Sequence, residues 1–191
     1  MSILLKNEIL EQYNNRRILI VPFNQEYIGP NSYDVRLDNT LLVYDQKFMQ
    51  ECRKENRKIR YLNSRKENKI KKLVIDEKYG IILYPGILYL GNTIEAIGSD
   101  NYIPMYEGRS SMARLGIQSH ISAGFGDIGF KSTWTLEITV VHPVKIYAGM
   151  RIGQIYFHKV DQENNTKDNR YNGKYLNQNG PQASLSFKDE K

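Results

Sequence analysis

The chain is predicted to be mainly β, a barrel or sandwich of jelly-roll type behind one short N-terminal helix. Short apolar runs recur along it: Leu73–Ile75, Gly80–Leu83, Ile87–Leu90, Ile103–Tyr106, Ile117–Ser122, Thr133–Val141, Val144–Tyr147 and Ile152–Phe157. Turn formers separate them, including Pro85-Gly86, Gly91-Asn92, Gly124, Gly126, Gly129, Pro143 and Gly149. Within Ser32–Leu37 and Thr133–Val140, apolar and polar residues alternate with the period of two that a half-buried strand requires.

Residues 3–14 carry Ile3, Leu4, Leu5, Ile9, Leu10 and Tyr13 at near-helical spacing, which predicts an amphipathic helix rather than a secretion signal. Strands follow at Arg17–Phe23, ended by Pro22, then at Ser32–Leu37 after the turn Ile28-Gly-Pro-Asn31, and at Leu41–Tyr44. A chain of 191 residues suits one domain with a real core. We divide it into a β domain at 1–160 and a polar terminal segment at 161–191, rich in Asn, Gln and Gly. That segment has too little apolar content to pack alone, so it is a tail or a flap that orders over a ligand. No run of 18 apolar residues spans a membrane, and a single cysteine, Cys52, fits a reducing cytosol. The expected location is cytoplasmic.

Charge is concentrated. Residues 45–72 hold eleven Lys and Arg against four Asp and Glu, a net +7 in a chain whose total is +6. Such a block contacts nucleic acid, steers an anionic substrate, or forms a solvated, partly helical surface excursion. Only Phe48 and Tyr61 interleave aromatic rings, so the surface excursion is the expectation and a nucleic-acid partner is not.

The chemistry-bearing stretch is Glu107-Gly-Arg-Ser-Ser-Met-Ala-Arg-Leu-Gly116. A helix starting at Arg109-Ser110-Ser111 presents unpaired amides, hydroxyls and guanidiniums to phosphate oxygens, and Ser110 and Arg114 share one face. An ordinary serine N-cap with solvated arginines explains the same residues. Downstream, parity puts Trp134, Leu136, Ile138 and Val140 on one side of a strand. Thr133, Thr135, Glu137 and Thr139 lie on the other, which sets one carboxylate on a threonine-lined face. Asp127, among Gly124, Gly126 and Gly129, suits a sugar hydroxyl or a plain turn. Zinc deaminase chemistry needs His/Cys-x-Glu with Pro-Cys-x-x-Cys; one cysteine and the scattered His120, His142 and His158 do not supply it.

These motifs resemble the dCTP deaminases of the dUTPase-like superfamily, nearly end to end. Ile20-Val-Pro-Phe23 with Gly29–Leu37, Leu83-Tyr-Pro-Gly86, Gly108–Gly116, His120–Gly124, Thr135-Leu-Glu137, Gly149–Gln154 and Tyr171–Gln178 carry the likeness. Only 45–72 falls outside it. Two departures are visible: Gly126-Asp-Ile-Gly-Phe130 differs from the usual hairpin, and Ser132 stands where glycine is common. The resemblance implies a distorted jelly-roll homotrimer with sites between subunits and with the 161–191 flap over them. It makes Glu137 the proton-shuttling carboxylate, Ser110 the water-positioning serine and Arg114 the support for the reacting base. The Ala123 carbonyl orients water or leaving amine. Arg109, Ser111, Met112, Ala113, Asp127, Thr135, Leu136, Gln154, Tyr171, Lys174 and Gln178 fall on substrate-binding positions. Magnesium travels on the triphosphate rather than in a protein cage. Partners are dCTP and dUTP, with dTTP as feedback inhibitor.

The chemistry is consistent with that set: deamination at C4 needs an activated water, protonation at N3 and a stabilised tetrahedral adduct. The principal expectation is a dCTP deaminase releasing dUTP and ammonia, which Ala113 favours. The alternative is a bifunctional enzyme giving dUMP, pyrophosphate and ammonia, which Gly124-Phe125 and Gln154 favour. A dUTPase alone, or a relative without turnover, predicts decay of Glu137, Ser110 and Arg114 or of the terminal segment, and all are present.

Overall fold

The computed structural model describes residues 2–54, 57–160 and 170–189. It is mainly β. In chain order it runs α1 Lys6–Asn14, β1 Ile18–Val21, β2 Tyr33–Arg36, β3 Thr40–Tyr44, β4 Gln50–Lys54, β5 Arg57–Tyr61, β6 Ile70–Val74 and β7 Ile81–Leu83. Then come β8 Tyr89–Ser99, β9 Tyr102–Gly108, α2 Ser110–Arg114, β10 Ile117–Gln118, β11 Lys131–Val140, β12 Val144–Ile146 and β13 Arg151–Lys159. The largest sheet has the order β10-β11-β8-β3-β6, with β1 also on β8; a second sheet is β2-β13-β9. Ile18, Ile20, Ile97, Leu136, Ile138, Ile155 and Phe157 are among the buried core residues. Each such side chain contributes roughly 1.5–3 kcal/mol when removed from water.

The first helix starts later than periodicity predicts. Leu4 donates its amide to the Phe157 carbonyl (2.9 Å) and Ile3 bridges His158, so these residues join a sheet edge instead. The Glu8 carboxylate then accepts from the Leu5 amide at 2.9 Å and fixes the helix start. Ile9 and Gln12 face inward.

The dipeptide Gly91-Asn92 is not a turn. It lies inside the eleven-residue β8, the longest strand. A Cβ on Gly91 would stand 3.0–3.1 Å from Leu37, Leu41 and Ile138, so glycine serves close packing there. Asn92 is buried, donating to the Asp38 carboxylate at 3.2 Å and to the Thr93 carbonyl at 2.8 Å. Turn-forming composition and a buried strand are indistinguishable at this dipeptide without its neighbours.

The basic excursion is a β-ribbon rather than partly helical, apart from a 3-10 turn at Gln46–Phe48. Its strands β4 and β5 pair from Gln50↔Tyr61 to Lys54↔Arg57. Glu51 accepts from Arg60 at 2.9 Å and also pairs with Lys58. Cross-strand charge, not apolar alternation, sets this register, and the hydrophobic pattern therefore gives no sign of it.

Candidate active site

Strand β11 follows the predicted parity. Trp134, Leu136, Ile138 and Val140 are buried, whereas Thr133, Thr135, Glu137 and Thr139 are half-buried. The polar face of β11 floors a cavity of about 420 Å³. Ala123, Phe125, Gly126 and Asp127 form one wall, Tyr44, Leu88 and Leu90 another, and Tyr171, Tyr175, Gln178, Gln182 and Ser184 the roof. The Ile121 amide donates to the Glu137 carboxylate at 3.4 Å, a long bond that leaves the second oxygen for the cavity. Gly126 is required where it stands: a Cβ there would meet the Trp134 ring at 2.3 Å and the Pro104 carbonyl at 2.8 Å.

Residues 170–189 cross this floor as a strap. Tyr171 donates its amide to the Ile128 carbonyl at 2.7 Å, and its ring meets Phe130 edge-on at 5.7 Å. Gln178 Nε2 donates to the Thr133 carbonyl at 2.7 Å. The Gly180 and Gln182 amides donate to the hydroxyls of Thr133 (3.2 Å) and Thr135 (3.1 Å). Ser132, one of the two departures from the family pattern, donates its hydroxyl to the Gln178 carbonyl, which glycine could not do. Farther along, Ser184 N–H donates to the Tyr44 hydroxyl at 3.2 Å, and Ser186 Oγ to the Ser64 carbonyl at 2.7 Å. Lys174 turns away from the cavity to pair with Asp189, which raises its pKa above the ordinary lysine value.

Six of the residues picked from sequence thus meet in one cavity: Ala123, Asp127, Thr135, Glu137, Tyr171 and Gln178. A second group lies elsewhere. Helix α2 carries Ser110, Ser111, Ala113 and Arg114 exposed, while Met112 packs against the core. Its single turn is anchored by the Met112 and Ala113 amides on the Arg109 carbonyl at 2.9 and 3.0 Å. Beside it, Arg109 lies 3.3 Å from the Asp34 carboxylate, and Gln154 accepts from Ser32 Oγ at 2.9 Å. Leu136 belongs to neither group. Its side chain is 1% exposed in the core, so it can offer a ligand only its backbone.

Sequence reasoning used Phe125 only as a pointer to the bifunctional alternative and missed it, with three other aromatic residues, as part of the cavity wall. Phe125, Phe130, Trp134 and Tyr175 line the cavity, and Phe130 stands edge-on to Trp134 at 5.9 Å. Phe125 and Phe130 flanking the glycine cluster were the available signal. Tyr44, Gln182 and Ser184 had none, because their proximity depends on the path of the strap. His120 approaches Glu107 with Nε2 at 3.3 Å and stands edge-on to Tyr106. Burial pushes the Tyr106 phenol well above its usual range, and its hydroxyl donates to Ser119 at 2.8 Å. Neither His120 nor Tyr106 lines the cavity.

Residues 3–160 match the sequence model of the dCTP deaminase-like family. The chain belongs to that family. Among its relatives are proteins named dCTP deaminase, dUMP-forming, from Clostridium acetobutylicum (48% identical over 172 residues, 90% of each chain) and from Hathewaya histolytica (47% over 175 residues, 92% of each). A third, with the same name, is from Leptospira biflexa (44% over 187 residues, 98% of this chain and 97% of the other). The fold is similar to the crystal structure of 2'-deoxycytidine 5'-triphosphate deaminase from Agrobacterium tumefaciens, with a TM-score of 0.61 at 17% identity. That likeness covers 83% of this chain, which spans about half (48%) of the Agrobacterium chain.

The relatives' name corrects the principal sequence expectation. Every family member quoted at more than 40% identity is dUMP-forming, so the reading that ends at dUTP is overturned in favour of the bifunctional alternative. Ala113 was the misleading signal. It is an exposed residue of α2 and does not line the cavity of its own chain.

Proposed function

We propose that the protein converts dCTP to dUMP, pyrophosphate and ammonia in deoxypyrimidine nucleotide metabolism in the cytoplasm. The observation that carries this reading is Glu137, half-buried on the threonine face of β11 in a cavity roofed by Tyr171 and Gln178. In the proposed deamination, Glu137 takes a proton from water, whose oxygen adds to C4 of cytosine. The carboxyl passes that proton to N3, giving a neutral tetrahedral adduct. Collapse breaks the C4–N4 bond; a proton from the new hydroxyl leaves with the amine as ammonia, and the ring becomes uracil. A second water then attacks the α-phosphorus and the bond to the bridging oxygen of the β-phosphate breaks, releasing pyrophosphate. Asp127 is positioned for the sugar, and Tyr171 and Phe130 for apolar contact with the nucleotide.

Ser110 and Arg114 are absent from the cavity of their own chain, which is why we place the complete site between copies. Helix α2 of one subunit would supply the water-positioning serine and the arginine to the Glu137 pocket of the next, in a jelly-roll trimer. Exposed apolar residues border these elements: Leu115, Ile121, Phe125 and Val141, the last 78% exposed. Magnesium enters on the triphosphate, since phosphate and water oxygens satisfy its coordination. Among the described residues no three His, Cys, Asp or Glu side chains converge on a metal position. We also place dTTP, which shares the sugar and triphosphate, as a feedback inhibitor at this site.

Purified protein given dCTP should release ammonia, dUMP and pyrophosphate in equal amounts, followed by ion-exchange chromatography over time. Accumulation of dUTP as the final product contradicts the proposal. Shared sites give a second expected result. Glu137→Gln and Arg114→Ala should each be inactive alone. After unfolding and refolding together they should regain about a quarter of wild-type activity, the statistical share of interfaces with two intact halves. No recovery in mixed oligomers would place both residues in one subunit's site.

A further inference from the structure

Strand β13 contains a register shift between Arg151 and Gly153 where it pairs with β2. Regular alternation would put Arg151 and Gln154, three residues apart, on opposite faces. The shift leaves Ile152 and Gly153 consecutively buried and returns Arg151 to the side of Gln154. There Arg151 Nη1 donates to Asp34 Oδ2 at 3.2 Å, the same oxygen that lies 3.3 Å from Arg109 Nη2. The Arg151 guanidinium also lies 5.8 Å from the centre of the Tyr27 ring, which supports it from a second direction. Gln154 is held in turn, accepting from Ser32 Oγ at 2.9 Å and donating to the Gly108 carbonyl at 3.4 Å.

Two guanidiniums therefore share one carboxylate, and the cluster keeps one net positive charge. The other nearby arginine is already matched: Arg36 is bound to Glu95, a fully buried carboxylate, at 2.6 Å. Asp34 is 18% exposed and Arg109 26%, whereas Arg151 is 46% exposed, so the pair is anchored at its base and open at its outer edge. A planar fork fixed in this way has donors left over for a bidentate acceptor. Ser32 and Asp34 come from the Gly29–Leu37 segment, to which sequence reading gave no task.

We infer that Arg151 is a second phosphate-binding guanidinium, re-aimed by the β13 bulge, and that Asp34 is the positioning residue that sets Arg109 and Arg151 side by side for the polyphosphate of the nucleotide. This deepens the proposed function and rests on it for the identity of the nucleotide. The polyphosphate contact can be read separately, with inorganic tripolyphosphate as the probe. Calorimetry on the full chain should show Arg151→Gln binding tripolyphosphate about tenfold more weakly, because a charge-assisted bond is lost. The KM for dCTP should rise by a similar factor, while affinity for deoxycytidine, which lacks phosphate, stays within about twofold. Arg151→Lys should recover only part of the loss, since an ammonium cannot bridge Asp34 and a phosphate in one plane. Asp34→Asn should also weaken tripolyphosphate, although it removes a negative charge.

Unchanged tripolyphosphate binding in Arg151→Gln overturns the assignment. So does an equal loss for deoxycytidine and tripolyphosphate, which marks a merely structural arginine. Tighter tripolyphosphate binding by Asp34→Asn overturns the positioning role, because Asp34 would then act only as a competing charge. A wild-type protein that binds tripolyphosphate but releases no ammonia from dCTP sinks the deaminase reading and leaves the phosphate seat standing.

Discussion

Glu137→Gln is expected to reduce ammonia release from dCTP by at least about a thousandfold while nucleotide affinity changes by only a few-fold. General acid–base catalysis at one transfer contributes roughly 10²–10⁴ in rate. Here one carboxylate handles two transfers, from water and to the ring nitrogen. An amide has the same shape and can still accept from the Ile121 amide, so the cavity wall should hold its geometry. It cannot take up a proton at neutral pH. The neighbouring Thr135 and Thr139 have hydroxyls too weakly basic to replace it. Ammonia release by coupled assay, beside nucleotide titration by calorimetry, separates the two effects. A variant that keeps a tenth of wild-type turnover rules out Glu137 as the base. A variant that neither turns over nor binds points instead to a carboxylate that supports the cavity itself.

The predicted face of Glu137 followed from a property of β11 that is local and periodic. From Thr133 to Val140 the residues alternate, and the side buried in the core, Trp134, Leu136, Ile138 and Val140, is apolar, so the remaining side had to carry the carboxylate. The same logic failed at Gly91-Asn92, where two turn-forming residues sit inside β8. What decides that case is the distance from Gly91 to Leu37, Leu41 and Ile138, which are remote in sequence. Arg151 drew no task from the sequence, because the one-residue shift between Arg151 and Gly153 is set by pairing with β2, which is remote in sequence. The ribbon of β4 and β5 was legible as charge and not as structure, since Glu51, Lys58 and Arg60 form cross-strand pairs with no apolar signature. Spacing could identify Ser110 and Arg114 as chemically apt but could not say which cavity they serve. Their absence from the cavity of their own chain is the observation that bears on the question.

Deleting residues 170–191 should leave a folded protein whose kcat/KM for dCTP is at least about a hundredfold lower. The core cluster extends from Leu4 to Phe157 and takes no member from the strap, so the deletion removes little that holds the sheets together. What it removes is the roof. Tyr171, Tyr175, Gln178, Gln182 and Ser184 all leave the cavity, opening Glu137 to bulk water. The strap is held by hydrogen bonds from Gln178, Gly180 and Gln182 to β11, from Ser132 to the Gln178 carbonyl, and by the outer contacts to Tyr44 and Ser64. Such bonds are worth roughly 0.5–1.5 kcal/mol each when they exchange with water. Ordering the backbone costs about 1–2 kcal/mol per residue, so nucleotide contacts are expected to strengthen closure. The loss should appear as a higher KM from missing contacts and as a lower kcat from water admitted to the reacting ring. Ser132→Gly, which removes one tether alone, should move KM in the same direction by about threefold, the equivalent of less than 1 kcal/mol. Circular dichroism and thermal melting check that the truncated chain folds, and steady-state kinetics measure the loss. A folded truncation with wild-type kinetics excludes the strap from catalysis and returns the cavity's roof to a structural role.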